Sequence, residues 1–84
     1  MSHTMISELF IAIRRNQLIM SYADMNIVKK WLTACDDHAE LVIEIVLERM
    51  EREVDAGTFV GERFTPKHID RYVMRKLRGA IQRA

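Results

Sequence analysis

Cys35, Asp36, Asp37 and His38 are the stretch in which side chains that bind metals or perform nucleophilic chemistry stand closest together. A thiolate, a carboxylate and an imidazole are all ligands that Zn²⁺ accepts. The end of one helix followed by the capped start of the next explains these residues more simply, because aspartates are preferred at helix N-termini. The other two histidines stand far away in sequence, and no glycine-rich phosphate-binding loop is present. We therefore expect no catalytic residue, metal site, cofactor or small-molecule substrate, and a protein that is not an enzyme.

Acidic side chains recur at steps of three and four residues between positions 37 and 55. This spacing places them along one side of a helix, where like charges repel each other weakly. A solvated face explains the pattern about as well as a face that meets a basic surface of this chain or of another. The candidate residues of this acidic face are Asp37, Glu40, Glu44, Glu48 and Glu51, and Asp55 continues the row.

Basic side chains share one face of the last predicted helix. Cations near a helix C-terminus are also stabilised by the helix dipole, so part of the pattern needs no ligand. Contact with a protein is favoured over contact with nucleic acid, because the connector before this helix is too long for the tight turn of a helix-turn-helix motif. The candidate residues of this basic face are Lys67, Arg71, Arg75 and Arg78, with Met74 at its edge.

The formal net charge of +1 conceals two strongly opposed segments. Residues 36–55 carry eight acidic and two basic side chains, whereas residues 63–83 carry seven basic and one acidic. Two such rows on neighbouring helices could pair within one subunit, or across a two-fold axis between two subunits.

Apolar residues at helical spacing predict helices over residues 4–20, 22–35, 38–56 and 66–82. The fold class is therefore all-α, a small bundle of three to four helices in one domain covering residues 1–84. The last two helices should pack antiparallel, joined by a connector that contains phenylalanine.

Capping residues mark the ends of these predicted helices. Ser21 is three residues before Asp24, as in a capping box, and Asp36 or Asp37 is the expected N-cap of the third helix. Gly57 is the expected stop of that helix. The last helix should open at Thr65–Pro66, with Thr as the cap and Pro at the first helical position.

The third helix has the strongest apolar pattern and is expected to be the centre of the core. In the connector after it, Phe59 and Phe64 should turn inward rather than toward a partner, because a solvated loop rarely carries two phenylalanines. The expected buried stripe of the third helix is Val42, Ile43, Val46, Leu47, Met50 and Val54, with Leu41 and Ile45 broadening it.

The chain of 84 residues has a single cysteine, no signal-peptide pattern and no apolar run of membrane-spanning length. We expect a cytoplasmic protein without membrane contact. A domain this small buries a thin core, which favours a homodimer or a protein partner. The leading interpretation is a small adaptor or regulator that acts by protein–protein binding, by analogy with bacterial or phage inhibitors, chaperones and modulators of larger partners. The alternative is a nucleic-acid-binding regulator that uses the basic C-terminal helix.

Overall fold

The computed structural model describes residues 2–14 and 21–83, which form four α-helices and one 3₁₀ turn, with no strand among them. This confirms the predicted all-α fold. The tail of the first predicted helix, residues 15–20, lies outside the described residues. The helices are α1 (Ser2–Arg14), α2 (Tyr22–Ala34), α3 (Ala39–Ala56) and α4 (Pro66–Arg83), and the 3₁₀ turn is Gly61–Arg63.

Three of the predicted helix ends are confirmed by their hydrogen bonds or backbone angles. The Ser21 hydroxyl accepts the backbone N–H of Asp24 at 3.1 Å, as an N-cap does. The Thr65 hydroxyl accepts the N–H of His68 at 3.3 Å, directly before α4. Gly57 ends α3 with a φ of 76°, a left-handed conformation in which a residue without a Cβ is unstrained.

The predicted N-cap of α3 is wrong. Asp36 and Asp37 have positive φ angles of 54° and 62°, and α3 begins at Ala39 with His38 before it and no side-chain cap hydrogen bond. The backbone N–H of Asp37 instead donates to the Leu32 carbonyl at 2.8 Å. Aspartate tolerates the left-handed region better than most residues. The two aspartates therefore terminate α2 rather than initiate α3.

The core is built around three aromatic rings from three different parts of the chain. The Phe10 ring of α1 lies 6.1 Å from that of Trp31 in α2 and 5.9 Å from that of Phe64. Phe64 is buried, and Phe59 is half-buried against it with ring centroids 5.6 Å apart. Both phenylalanines of the connector thus turn inward, as predicted.

Helices α3 and α4 pack antiparallel, and three contacts define their register. Glu53, near the end of α3, lies 3.0 Å from His68 at the start of α4. One turn earlier in α3, Glu48 contacts both Tyr72 and Lys76, one and two turns further along α4. Moving backward along α3 therefore corresponds to moving forward along α4.

The buried side of α3 is not centred where the apolar pattern predicts. Leu47 and Val54 are 40% and 55% exposed, whereas Ile45 and Glu53 are buried. The reason is that the Glu53 carboxylate receives a hydrogen bond from Arg49 Nε at 2.7 Å and also contacts His68, so its burial is compensated. Helix α3 can then turn this polar position toward α4 and leave two apolar residues in solvent.

Candidate protein-binding surfaces

Cys35 and its neighbours do not assemble a reactive site in the described part of the chain. The thiol is buried, and its single S–H has two acceptors within reach, the carbonyls of Leu32 and His38 at 3.7 and 3.6 Å from Sγ. Burial raises the pKa of the Cys35 thiol, and the backbone hydrogen bonds offset this only in part. Among the described residues no three His, Cys, Asp or Glu side chains are placed to hold a metal ion.

The acidic residues predicted from the spacing are all exposed, but Asp37 does not belong to their helix. It lies before α3 with a left-handed backbone, so it does not continue the row. On α3 the spacing is helical without interruption, and these side chains point to one side. We call this set the acidic row: Glu40, Glu44, Glu48, Glu51 and Asp55.

Glu48 is the residue of the acidic row that side chains of α4 contact. Its carboxylate accepts a hydrogen bond from the Tyr72 hydroxyl at 2.8 Å and lies 3.2 Å from Lys76 Nζ. The hydrogen bond from Tyr72, followed by the one from Lys76, holds the pKa of Glu48 below its ordinary value. This carboxylate is therefore anchored by its own chain.

The ring of Tyr72 is surrounded by cations from both helices. The charged groups of four side chains lie between 5.1 and 5.8 Å from the ring centroid. Contacts between a cation and an aromatic face at this distance are favourable. The four are Arg49 and Arg52 from α3 and Arg75 and Lys76 from α4.

The basic residues predicted on α4 are exposed, on the side of the helix that faces away from the core. Met74 is half-buried against the core, at the edge of this face. Among the described residues, no carboxylate forms an ion pair with any of the four cations. We call this set the basic row: Lys67, Arg71, Arg75 and Arg78.

A groove of about 520 Å³ runs between α3 and α4. Its α3 wall carries Glu44 and Glu48, and its α4 wall carries Arg75 and Lys76. The side chains between these walls are apolar and come from Leu41, Ile45 and Ala80, with Gly79 beside them. The groove is thus lined by opposite charges on its two sides and by hydrocarbon between them.

A second surface of α3 was missed by the sequence reasoning, which assigned its residues to the core. Leu47 and Val54 are exposed and stand seven residues apart, while Ile43 and Met50 are half-buried against the core. Alternating steps of four and three are the spacing of a coiled-coil seam, and that regularity was the available signal. We call this set the apolar column: Ile43, Leu47, Met50 and Val54.

Comparisons of the chain with protein-family models, with curated proteins and with solved structures gave no match. None of the helices in the described residues is both long enough and apolar enough to cross a membrane. The case for a function therefore depends on the surfaces of α3 and α4.

Proposed function

We propose that this protein is a small adaptor or regulator that acts by binding another protein, and that the apolar column of α3 is the contact. The observation that carries the proposal is the exposure of Leu47 and Val54, at 40% and 55%, at heptad spacing on one helix. Single exposed apolar residues are common on protein surfaces, but a regular seam of them is typical of a helix-binding face.

The charges beside the column specify the chemistry of the partner. The acidic row lies next to the column on the same exposed side of α3, with Glu40 and Glu51 nearest to Leu47 and Val54 on the helix surface. A helix docked on the column would bring its flanking residues against these carboxylates. The partner that fits is an amphipathic helix with an apolar stripe and lysine or arginine along its edge. A second α3 does not fit, since it would bring another acidic row.

The proposal is tested with two synthetic helices that carry the same leucine heptads, one with lysine and one with glutamate at the flanking positions. Isothermal titration should detect binding of the lysine peptide only. The double variant Leu47→Ser with Val54→Ser should lose that binding. Val60→Ser is the matched control, because Val60 is 46% exposed but lies outside α3. Equal binding of both peptides, or unchanged binding by the double variant, would refute the proposal.

The same variants identify a natural partner. Tagged wild-type protein and the Leu47→Ser, Val54→Ser double variant are used to capture proteins from a nuclease-treated lysate, and the captured proteins are compared by mass spectrometry. A partner of the apolar column is captured by the wild type and by the Val60→Ser control, and is lost with the double variant. A capture list that is the same for all three proteins counts against the proposal.

Nucleic-acid binding through α4 is the second candidate, favoured by the exposure of Lys67, Arg71 and Arg78. The acidic row counts against it, because Glu44 and Glu48 stand across the groove from Arg75 and would repel a phosphate backbone. Counterion release would make nucleic-acid binding fall steeply with salt. Binding to a labelled duplex that decreases with salt and is abolished by Arg71→Glu with Arg78→Glu would favour this second function.

A further inference from the structure

The acidic row and the basic row are matched in register along the α3–α4 surface. Antiparallel contacts join Glu53 to His68, and Glu48 to Tyr72 and Lys76. Extending this register along the helices brings each carboxylate of the acidic row that follows Leu41 about level with one cation of the basic row, to within one residue or about 1.5 Å along the axis. The level pairs are Glu44 with Arg78, Glu48 with Arg75, Glu51 with Arg71, and Asp55 with Lys67.

Level residues do not pair within the chain, because both rows point outward. The side of α3 that carries the acidic row and the side of α4 that carries the basic row are exposed, and no ion pair joins the two rows among the described residues. Lys76, which does reach Glu48, lies on the groove side of α4 rather than in the basic row. Apart from Glu48, which is paired with Lys76, the residues of the level pairs form no ion pair among the described residues and present their charge to solvent.

From this match we propose that the α3–α4 surface binds a second copy of this chain. A two-fold axis running along the groove exchanges the positions of α3 and α4 and leaves heights along the helices unchanged. Each acidic row then faces the partner's basic row, with the carboxylates of the four level pairs each opposite a cation of the partner. The surface is self-complementary, as an isologous interface requires.

The other two-fold axis that lies in this surface gives the opposite result. An axis perpendicular to the groove places α3 against the partner's α3 and α4 against the partner's α4. Carboxylates would then face carboxylates and cations would face cations, which opposes association. The charge pattern therefore selects one of the two arrangements.

The groove between the rows supplies the apolar part of the interface. Leu41, Ile45 and Ala80 line it and would be covered by the same residues of the partner. The apolar column lies on the other flank of α3, away from α4, so this inference does not depend on the proposed helix-binding function. Both surfaces border the acidic row, but Leu47→Ser with Val54→Ser changes the column alone and Arg71→Glu changes the basic row alone, so each surface can be tested without the other.

Charge reversal at one level pair tests the arrangement. Glu51→Arg and Arg71→Glu are chosen because neither should harm its helix. Glu51 lies among other carboxylates on α3 and Arg71 lies among other cations on α4, so each substitution replaces a repulsion between helical neighbours by an attraction. The arginine introduced at position 51 would stand four residues before Asp55, and the glutamate introduced at position 71 would stand between Lys67 and Arg75. Neither change therefore destabilises its helix. Circular dichroism checks that both variants remain folded.

Association is measured by sedimentation equilibrium of the purified chains. The wild type should be a dimer that dissociates as salt rises. Each variant alone places like charges opposite each other twice, so its dissociation constant should rise at least about tenfold. In an equimolar mixture of the two variants, the heterodimer has opposite charges at both of its contacts between positions 51 and 71. Native mass spectrometry should therefore find the heterodimer.

Charge-reversal substitutions elsewhere on the molecule are the controls. Glu8→Arg on α1 and Lys29→Glu on α2 make the same changes of net charge at exposed positions outside the α3–α4 surface, and these variants should dimerise as the wild type does. A monomeric wild type, variants that dimerise normally, or a mixture that fails to restore the dimer would each overturn the proposal.

Discussion

Replacing Asp70 by alanine should destabilise the fold by about 2–3 kcal/mol, although Asp70 is only half-buried and stands in a basic segment. Its carboxylate accepts the indole N–H of Trp31 at 2.8 Å and the ammonium group of Lys30 at 2.7 Å. Trp31 is completely buried, so the alanine variant leaves its N–H without an acceptor, at a cost of about 1.5–3 kcal/mol for a hydrogen bond to a charged group. The exposed ion pair with Lys30 adds about 0–1 kcal/mol.

Two further variants separate these contributions. Asp70→Asn keeps an oxygen for the Trp31 N–H and loses the charge, so it should cost about 1 kcal/mol. Lys30→Ala removes only the exposed ion pair and should cost less than about 1 kcal/mol. Trp31 is the only tryptophan, so its fluorescence during urea unfolding reports on the site itself. For a domain of this size, the alanine variant should melt about 8–24 °C lower than the wild type.

The pH dependence of stability provides an independent check. Burial raises the pKa of Asp70, but the hydrogen bonds from Lys30 and Trp31 outweigh it and hold the pKa below its ordinary value. The stabilisation is therefore complete above the ordinary pKa of about 3.9 and is lost as the pH falls through the lower folded-state value. Asp70→Asn should lack this acid transition. The reasoning is refuted if Asp70→Ala and Lys30→Ala cost the same, both below about 0.5 kcal/mol.

Three more outcomes follow from local geometry. Burial raises the pKa of the Cys35 thiol in the folded chain, so alkylation of Cys35 should have a higher pH midpoint in the folded than in the urea-unfolded chain. For the same reason the free energy of unfolding should fall as the pH rises past about 8.5, because the unfolded chain loses the thiol proton first. Gly57→Ala should cost about 1 kcal/mol because of the positive φ, whereas Gly79→Ala, which meets no atom within 4 Å, should stabilise α4 by up to about 1 kcal/mol in thermal unfolding. Carboxyl NMR should find the pKa of Glu48 below its ordinary value and show it rising in Tyr72→Phe, because the Tyr72 hydrogen bond is the largest cause of the shift.

Helix existence was predictable because local signals agree with each other. Each of these signals acts within a few residues of sequence and occurs as predicted. They are the capping hydroxyls of Ser21 and Thr65, the position of Pro66 at the start of α4, and the left-handed backbone of Gly57 at the end of α3. The start of α3 was not predictable in the same way. An aspartate serves either as an N-cap or as a left-handed helix stop, and the Leu32 carbonyl that selects the second role for Asp37 is itself the end of another helix.

The candidate surfaces were predicted in part, for a related reason. Exposure of the acidic and basic rows follows from charge and helical spacing alone. Which apolar residues of α3 are buried depends on where α4 packs, and that is decided by contacts of long sequence separation such as Glu53 with His68. A pattern of apolar residues specifies a stripe, but not which edge of the stripe faces solvent. The apolar column was therefore assigned to the core.

The two proposed surfaces explain together why α3 keeps a row of carboxylates that repel one another. Among the described residues, Glu48 of this row is paired with Lys76 and Glu40 lies 4.0 Å from His38, whereas Glu44, Glu51 and Asp55 form no ion pair and repel their neighbours on the helix. The basic row of a second copy, or a basic helix bound on the apolar column, would each convert that repulsion into attraction.

Variants at Glu51 and Arg71 distinguish these two effects. Glu51 borders both surfaces, so Glu51→Arg should weaken the dimer and the lysine peptide together, whereas Arg71→Glu lies away from the column and should weaken the dimer alone. Equal loss of peptide binding in both variants would mean that the peptide needs the dimer, and that the column is not sufficient by itself.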